Sequence, residues 1–140
     1  SVKDNLFDVA GVRIICSFVD DIYKIADMIV KQDDIQVLEV KDYIKNPKPN
    51  GYRRLHMICQ IPVFFSDCKE LLNVAVQIRT IAMDFWASLE HDLRYKKELL
   101  VTEDLQEELR VCAETIAFTD NKMMEIRDQI EVLKQQEEAR

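Results

Sequence analysis

The hydrophobic and polar positions follow a strand period in the first half of the chain and a helix period in the second. Residues 12–18 are apolar at nearly every position, which is typical of a strand buried on both faces. Asp20 and Asp21 follow and are expected to cap a helix. Residues 35–40 alternate as a half-buried strand does. The apolar stripe of the predicted helix comprises Ile22, Ile25, Ala26, Ile29 and Val30.

Two more strands are predicted around a short turn. Residues 52–64 alternate until Pro62, which we expect to break the strand pattern. After a polar turn near Ser66, residues 72–79 alternate again. Because the connection is short, the two strands should form an antiparallel hairpin. Their buried positions are predicted to be Leu55, Met57, Cys59 and Ile61 in the first strand and Val74, Val76 and Ile78 in the second.

The remaining sequence is helical in pattern. One helix is predicted over 81–97, and a second begins after Thr102, a good N-cap residue followed by two acids. The apolar positions of the second helix recur at heptad-like spacing, so it should pack on another subunit through 102–137. A plain amphipathic helix covering its own domain is the alternative. The stripe comprises Leu105, Leu109, Cys112, Ile116, Met123, Ile126, Ile130 and Leu133.

These elements predict an α+β fold, with a four-stranded mixed sheet flanked by helices and a long C-terminal helix. We expect a core over 1–97 and a helical extension over 98–140. No stretch of eighteen apolar residues is present, so we expect no membrane span. The N-terminus lacks the pattern of a secretory signal. The four cysteines form no CxxC pair and are expected to be reduced thiols, three of them in apolar or amphipathic stretches, in a cytoplasmic protein.

The charge distribution favours a small phosphorylated ligand. The chain has 19 basic and 26 acidic residues, a net charge of −7. Because proteins bind nucleic acid broadly by neutralising its phosphates, this charge argues against such binding. Residues 41–54 nevertheless carry five basic residues against one acid, Asp42. The basic residues of this segment are Lys41, Lys45, Lys48, Arg53 and Arg54.

The segment NPKPNGYRRLH, residues 46–56, could bind a nucleotide. Its prolines restrict the loop around Lys48, and Gly51 permits a close backbone approach. Tyr52 and His56 fall on one strand face together with Arg54, which suits stacking of a base and binding of its phosphates. A proline and glycine turn before a solvated strand is an equally acceptable interpretation of these residues.

Two other segments could contribute chemistry. If the apolar residues of 74–80 face the core, Ala75, Gln77 and Arg79 share the opposite face. Asp8 precedes a predicted strand and could hold Mg²⁺, although a turn residue is the simpler explanation. No phosphate-binding P-loop motif, nucleophile elbow or HExxH motif is present.

Together the segments 8–16, 42–56, 74–91 and 112–130 resemble the small alarmone synthetases related to RelA and SpoT, and the NPKPNGY motif is highly specific to them. The resemblance implies a nucleotidyltransferase-like fold. It also implies a GTP pyrophosphokinase that uses Mg²⁺ to transfer pyrophosphate from ATP to the 3′-hydroxyl of GTP or GDP in the stringent response. Oligomers of the family form through terminal helices.

The resemblance assigns roles on both nucleotide sides. On the donor side, Asp8 matches an aspartate that binds Mg²⁺, and Arg13 matches an arginine that stacks on adenine. On the acceptor side, Lys48 and His56 match residues near the phosphates, and Tyr52 matches the ring that stacks on guanine. The end of the family's acceptor-strand motif is matched by Gln77 and Arg79.

Three departures from the family pattern stand out. Ala75 occupies the position of the catalytic glutamate, and loss of a general base typically lowers a rate by ~10²–10⁴-fold. Arg54 occupies a position that is usually serine. The basic stretch that precedes Asp8 in the family is not in this chain, so we expect the N-terminal part of the family domain to be absent. The chain is therefore expected to be impaired. A silent nucleotide-binding module is one alternative, and an interaction protein built on the helix 102–137 is another.

Overall fold

The computed structural model describes residues 10–96 and 102–140 and has the predicted α+β architecture. Its four strands form one sheet in the order β1-β4-β3-β2. β1 runs parallel to β4, whereas β4 with β3 and β3 with β2 are antiparallel. The elements in chain order are β1 (Ala10–Cys16), α1 (Val19–Val30), β2 (Gln36–Asp42), β3 (Leu55–Phe64), β4 (Lys69–Thr80), α2 (Ile81–Lys96) and α3 (Glu103–Glu138).

The core lies between one face of the sheet and α1. Ile22 of α1, Met57 of β3 and Ile78 of β4 are fully buried there. The alternation in β3 and β4 places their odd and even positions, respectively, on this face, so the predicted hairpin and its buried positions are confirmed. On α1 the stripe packs against the core except at its last member, since Val30 is 53% exposed.

The first strand differs from its prediction because it lies at an edge of the described sheet. β1 pairs only with β4, and Val12 and Ile15 are 45% and 41% exposed. The strand is therefore not buried on both faces. The N-cap of α1 is Phe18, so neither Asp20 nor Asp21 occupies that position, but Asp21 does cap the helix from its first turn as the carboxylate half of a capping box. Asp21 lies in the first turn and accepts a hydrogen bond from the Phe18 backbone N–H at 3.2 Å.

Pro62 does not end the strand that contains it. β3 continues to Phe64, and Pro62 pairs with Leu71 of β4. β2 pairs with β3 only as far as Gln60. Pro62 therefore has a described neighbouring strand, β4, on one side only. On its other side no described strand requires a hydrogen bond from this position, so a residue without a backbone N–H is tolerated there.

The long helix α3 packs through only part of the predicted stripe, since Leu109 and Ile116 pack against the buried Trp86, Ala87 and Ala113. Its buried residues are Ala113 and Asp120, and Cys112 is exposed. The predicted positions Met123, Ile130 and Leu133 are 52%, 50% and 62% exposed. The domain therefore leaves much of the predicted stripe uncovered.

All four cysteines are free thiols; Cys59 is buried, Cys16 is half-buried, and Cys68 and Cys112 are exposed. Burial raises the pKa of Cys16 to about 11, helped by Asp21 and Asp120, so this thiol is protonated at neutral pH. Among the helices in the described part of the chain, none is long and apolar enough to cross a membrane.

Candidate functional site

The loop between β2 and β3 is held at both ends by its own polar groups. The Asp42 carboxylate accepts from the backbone N–H groups of Ile44 and Lys45 at 2.9 and 3.0 Å and from the Tyr23 hydroxyl at 2.8 Å. Further on, the Gly51 N–H donates to the Lys48 carbonyl at 2.8 Å and closes a β-turn with proline second and glycine last. These bonds give the Lys48 side chain a defined position.

Gly51 brings this loop against α3. Its φ is 96°, a conformation that favours glycine, and a Cβ on it would lie 2.6 Å from the Ala113 Cβ. The next basic residue, Arg53, extends the contact by donating to the Ala113 carbonyl at 2.6 Å. Gly51 therefore provides the predicted close approach, which is made to α3.

A cleft of about 590 Å³ opens on the other side of the loop. Its walls come from β1, the loop, β4 and α2. Its charged members are mostly cations, so it suits an anionic ligand. The lining residues are Arg13, Lys48, Asn50, Tyr52, Arg54, Arg79, Ala87, Ser88, Glu90, His91 and Arg94.

Tyr52 stands at the centre of the cations. The Lys48 ammonium and the Arg54 and Arg79 guanidinium carbons lie 5.7, 4.9 and 5.1 Å from its ring centroid. The edge of the ring meets Trp86 of α2, with the centroids 6.1 Å apart and the planes at 72°. The Tyr52 hydroxyl accepts from Arg54 at 3.1 Å and also from Arg79. An aromatic ring is thus fixed beside three positive charges.

Arg79 is 5% exposed and is oriented by three neighbours. It donates to Gln77 Oε1 at 2.9 Å, to Asp84 Oδ1 at 3.2 Å and to the Tyr52 hydroxyl. Burial lowers its pKa, and the nearby Arg13 adds to the effect. Its Nε is buried and has no hydrogen-bond partner among the described residues. This N–H is therefore a buried donor that no described residue satisfies.

One row of side chains crosses the sheet beside the cleft. Strand pairing aligns Arg13 of β1 with Gln77 of β4, Gln77 with His56 of β3, and His56 with Lys41 of β2. The His56 Nδ1 is buried without a partner among the described residues. Burial lowers the pKa of His56, and so do the neighbouring cations, Arg54 first. His56 is therefore neutral at pH 7 and can act as a donor or an acceptor.

The adjacent row carries no ionisable side chain on three strands. Ala75 of β4 pairs with Gly11 of β1 and Ile58 of β3, and a carboxylate is first met at Glu39 of β2, opposite Ile58. In the described part of the chain, no group of three His, Cys, Asp or Glu side chains could hold a metal ion. Asp8, the predicted Mg²⁺ ligand, lies outside the described residues.

The structure brings most of the predicted site residues together. Arg13, Lys48, Tyr52 and Arg79 line the cleft, and Gln77 contacts Arg79. His56 and Ala75 project from the same sheet face. The α2 wall of the cleft was not predicted from the sequence; there Arg94 forms an ion pair with Glu90 at 3.4 Å. Their i,i+4 spacing in the helix that follows β4 was the sequence feature that could have indicated a charged helix face beside the sheet.

Comparison with known proteins agrees with this geometry. The family model described as a region found in RelA/SpoT proteins matches residues 1–99. GTP pyrophosphokinase YwaC of Bacillus subtilis (strain 168) is 46% identical over 130 residues, which are 93% of this chain and 62% of that protein. The chain spans about three fifths of the length of the curated relatives that it matches first.

Solved structures show the same fold. Small alarmone synthetase 2 from Bacillus subtilis superposes with a TM-score of 0.84 at 48% identity. The superposition covers 89% of this chain and 67% of the synthetase chain. Small alarmone synthetase 1 from Bacillus subtilis, bound to its product pppGpp, gives 0.82 at 37% identity, over 89% of this chain and 64% of that one. Since the family model covers well over half of the sequence, this chain belongs to the RelA/SpoT family.

Proposed function

We propose that the protein descends from enzymes that transfer pyrophosphate from ATP to the 3′-hydroxyl of GTP or GDP, and that its cleft binds the acceptor nucleotide. The observation that carries this proposal is the Tyr52 ring fixed among Lys48, Arg54 and Arg79 in a cleft of about 590 Å³. Such a cleft offers a stacking surface for a base and cations for its phosphates. We expect the protein to act in the cytoplasm, where these nucleotides are found.

On the acceptor side, Tyr52 would stack on guanine, and Lys48 and His56 would contact the phosphates. Gln77 and Arg79 orient this end of the cleft, since Arg79 is bonded to Gln77 and to the Tyr52 hydroxyl. The unpartnered Nε of Arg79 and Nδ1 of His56 are further groups that a bound nucleotide could satisfy. Buried polar groups of this kind favour a ligand with several acceptor oxygens.

On the donor side, Arg13 would stack on adenine and Asp8 would bind Mg²⁺. When bound, Mg²⁺ neutralises phosphate charge during phosphoryl transfer. The described residues do not fit a magnesium site, because Ala75 has only Gly11 and Ile58 beside it on the neighbouring strands, and no described group of three His, Cys, Asp or Glu side chains could hold a metal ion. No step is therefore assigned to the metal, and transfer by this chain would depend on positioning and charge.

Ala75 should leave the chain with little or no transferase activity. A methyl group cannot accept the proton of a 3′-hydroxyl, and Glu39 lies two strands away from Ala75 across the sheet. Strands are spaced by roughly 4.8 Å, so the Glu39 backbone is about 10 Å distant. A silent guanine-nucleotide-binding module is therefore the second candidate function, and it is supported by the proposed acceptor residues Lys48, Tyr52 and Arg79, which line the cleft.

The test is to restore the carboxylate with Ala75→Glu and to assay labelled ATP with GDP or GTP and Mg²⁺, separating the nucleotides by chromatography. We expect the variant to exceed the parent by ~10²-fold or more in formation of the 3′-pyrophosphorylated product. Asn73→Glu is the matched control, because it adds the same charge to the same face of β4 one residue pair away. Equal rates for the two variants would contradict the assignment of position 75. Nucleotide binding with no turnover in any variant would favour the silent module.

A further inference from the structure

Arg54 lies over the rings of both tyrosines beside the cleft, Tyr43 and Tyr52. Its guanidinium carbon lies 4.9 Å from the Tyr52 ring centroid and 5.7 Å from that of Tyr43. The Lys48 ammonium lies over the same two rings, at 5.7 and 4.9 Å. Arg54 and Lys48 thus share the same two tyrosine rings, and their like charges repel each other.

The charge of Arg54 is not balanced within the described residues. Of the five basic residues that line the cleft, Arg79 pairs with Asp84 and Arg94 with Glu90. Arg54, Lys48 and Arg13 make no such pair with a described carboxylate. The Arg54 Nε is also buried without a hydrogen-bond partner among these residues. A half-buried guanidinium with a free N–H beside a second unpaired cation is costly to maintain unless an anion completes it.

The shape of the free group indicates which anion fits. A guanidinium donates two parallel N–H groups and matches the oxygens of a phosphate, whereas an ammonium acts as a point charge. Arg54 lines the cleft and donates one N–H to the Tyr52 hydroxyl, and its buried Nε has no hydrogen-bond partner among the described residues. The Tyr52 ring that would stack on a base is 4.9 Å away, so base and phosphate chain can be bound together.

We propose that Arg54 is a specificity-determining residue that binds the phosphate chain of the acceptor, so that affinity rises with the number of phosphates and the triphosphate is preferred to the diphosphate. The identity of the base rests on the proposed function, whereas the role of Arg54 in recognising phosphate does not. Each added phosphate brings one further negative charge to a cleft in which three cations, Arg13, Lys48 and Arg54, pair with no described carboxylate. Removing Arg54 should therefore weaken the longest chain most.

The experiment measures dissociation constants by calorimetry for guanosine, GMP, GDP and GTP, with EDTA present to exclude metal. Arg54→Ser should weaken GTP binding about tenfold or more, as expected for loss of a charge-assisted hydrogen bond. GDP should be weakened less and guanosine unchanged, so the ratio of GMP to GTP dissociation constants falls. Lys45→Ser is the matched control, since it removes one positive charge from the same segment at an exposed position outside the cleft. It should leave that ratio unchanged.

Two further measurements distinguish failure of the role of Arg54 from failure of the proposed acceptor. Arg54→Lys keeps the charge and loses the planar fork, and it should give an intermediate ratio; its melting temperature and that of Arg54→Ser check folding. An equal change for all four ligands would overturn the proposal, because it would show that Arg54 acts on the ring of Tyr52. If no guanine compound binds, the proposed acceptor is wrong. Inorganic tripolyphosphate against pyrophosphate then tests Arg54 alone, and equal affinities in parent and variant would overturn its role.

Discussion

Gly51 determines how closely the loop between β2 and β3 approaches α3. Its positive φ of 96° closes the turn that begins at Lys48, and its α carbon faces Ala113 and Arg110 of α3. Tyr52 follows directly, and its N–H is bonded to the Asn50 side chain at 3.0 Å. A shift of Gly51 would therefore move the ring on which we propose that guanine stacks.

Gly51→Ala should destabilise the fold and weaken nucleotide binding. The new Cβ would lie 2.6 Å from the Ala113 Cβ and 3.2 Å from the Arg110 Cα, and the backbone would be strained as well. The free energy of unfolding should fall by about 2–4 kcal/mol, measured by urea denaturation. Gly11→Ala is the control, because its Cβ would meet nothing within 4 Å. Equal losses in both variants would contradict this account.

Helix α3 is attached to the domain by polar contacts along one stripe. Trp86 Nε1 donates to the Leu109 carbonyl at 2.9 Å, and the Thr80 hydroxyl donates to Asp120 Oδ2 at 2.6 Å. Farther along, Arg127 pairs with both carboxylate oxygens of Asp20 at 2.6 Å. These contacts extend over ~27 Å of helix. The same Thr80 oxygen accepts from the Met83 N–H at 3.1 Å, so the start of α2 and the docking of α3 share one residue.

Asp120→Asn should stabilise the protein at neutral pH. Burial raises the pKa of Asp120 above its usual value in spite of the bond from Thr80. The folded state therefore binds this proton more tightly than the unfolded state, and its stability falls as pH rises through the folded pKa. The amide oxygen can keep the bond from Thr80 without carrying the charge. Urea denaturation at several pH values should show a smaller loss of stability between acidic and neutral pH in the variant.

The control for that substitution is Glu131→Gln, at an exposed position of the same helix. It should leave the pH profile unchanged. If Asp120→Asn instead lowered the stability at neutral pH, the carboxylate would be making a favourable ionised contact, and the sign argued here would be wrong.

At the scale of the whole molecule, the described part of the chain leaves one apolar stripe of α3 in solvent. Met123, Ile126, Ile130 and Leu133 are 52%, 40%, 50% and 62% exposed. Burial of apolar surface gives roughly 25 cal/mol per Å², so such a stripe favours association. The expectation that the chain forms a homo-oligomer through this helix stays a prediction.

Ile130→Glu should lower the molar mass in solution, measured by size exclusion with light scattering over a range of protein concentrations. A charge in the middle of an apolar interface would weaken association by several kcal/mol, because it would be buried without a partner. Gln135→Glu adds the same charge on a different face of α3 and should keep the mass of the parent. A parent that is monomeric at all concentrations would exclude the oligomer.

Several features of the protein follow from local sequence. The alternation through Leu55, Met57 and Cys59 predicted the buried face of β3, because side chains of a strand point alternately to its two sides. The turn residues of 46–51 predicted the loop that holds Lys48. Proline restricts the backbone to a narrow range of φ, and glycine allows conformations that other residues rarely adopt. Lys48 and Tyr52, which line the cleft, likewise come from one short motif.

Other features depend on contacts between segments that are distant in sequence. The heptad-like stripe of α3 did not show which side docks, because Ala113 and Asp120 are buried by Gly51 and Thr80, which lie far away in sequence. Pro62 stays within β3 because β2 ends early, and β1 is exposed because it has one described neighbour. A local pattern determines which residues share a face. Whether that face is covered, and by what, depends on contacts between elements, which the tertiary structure alone provides.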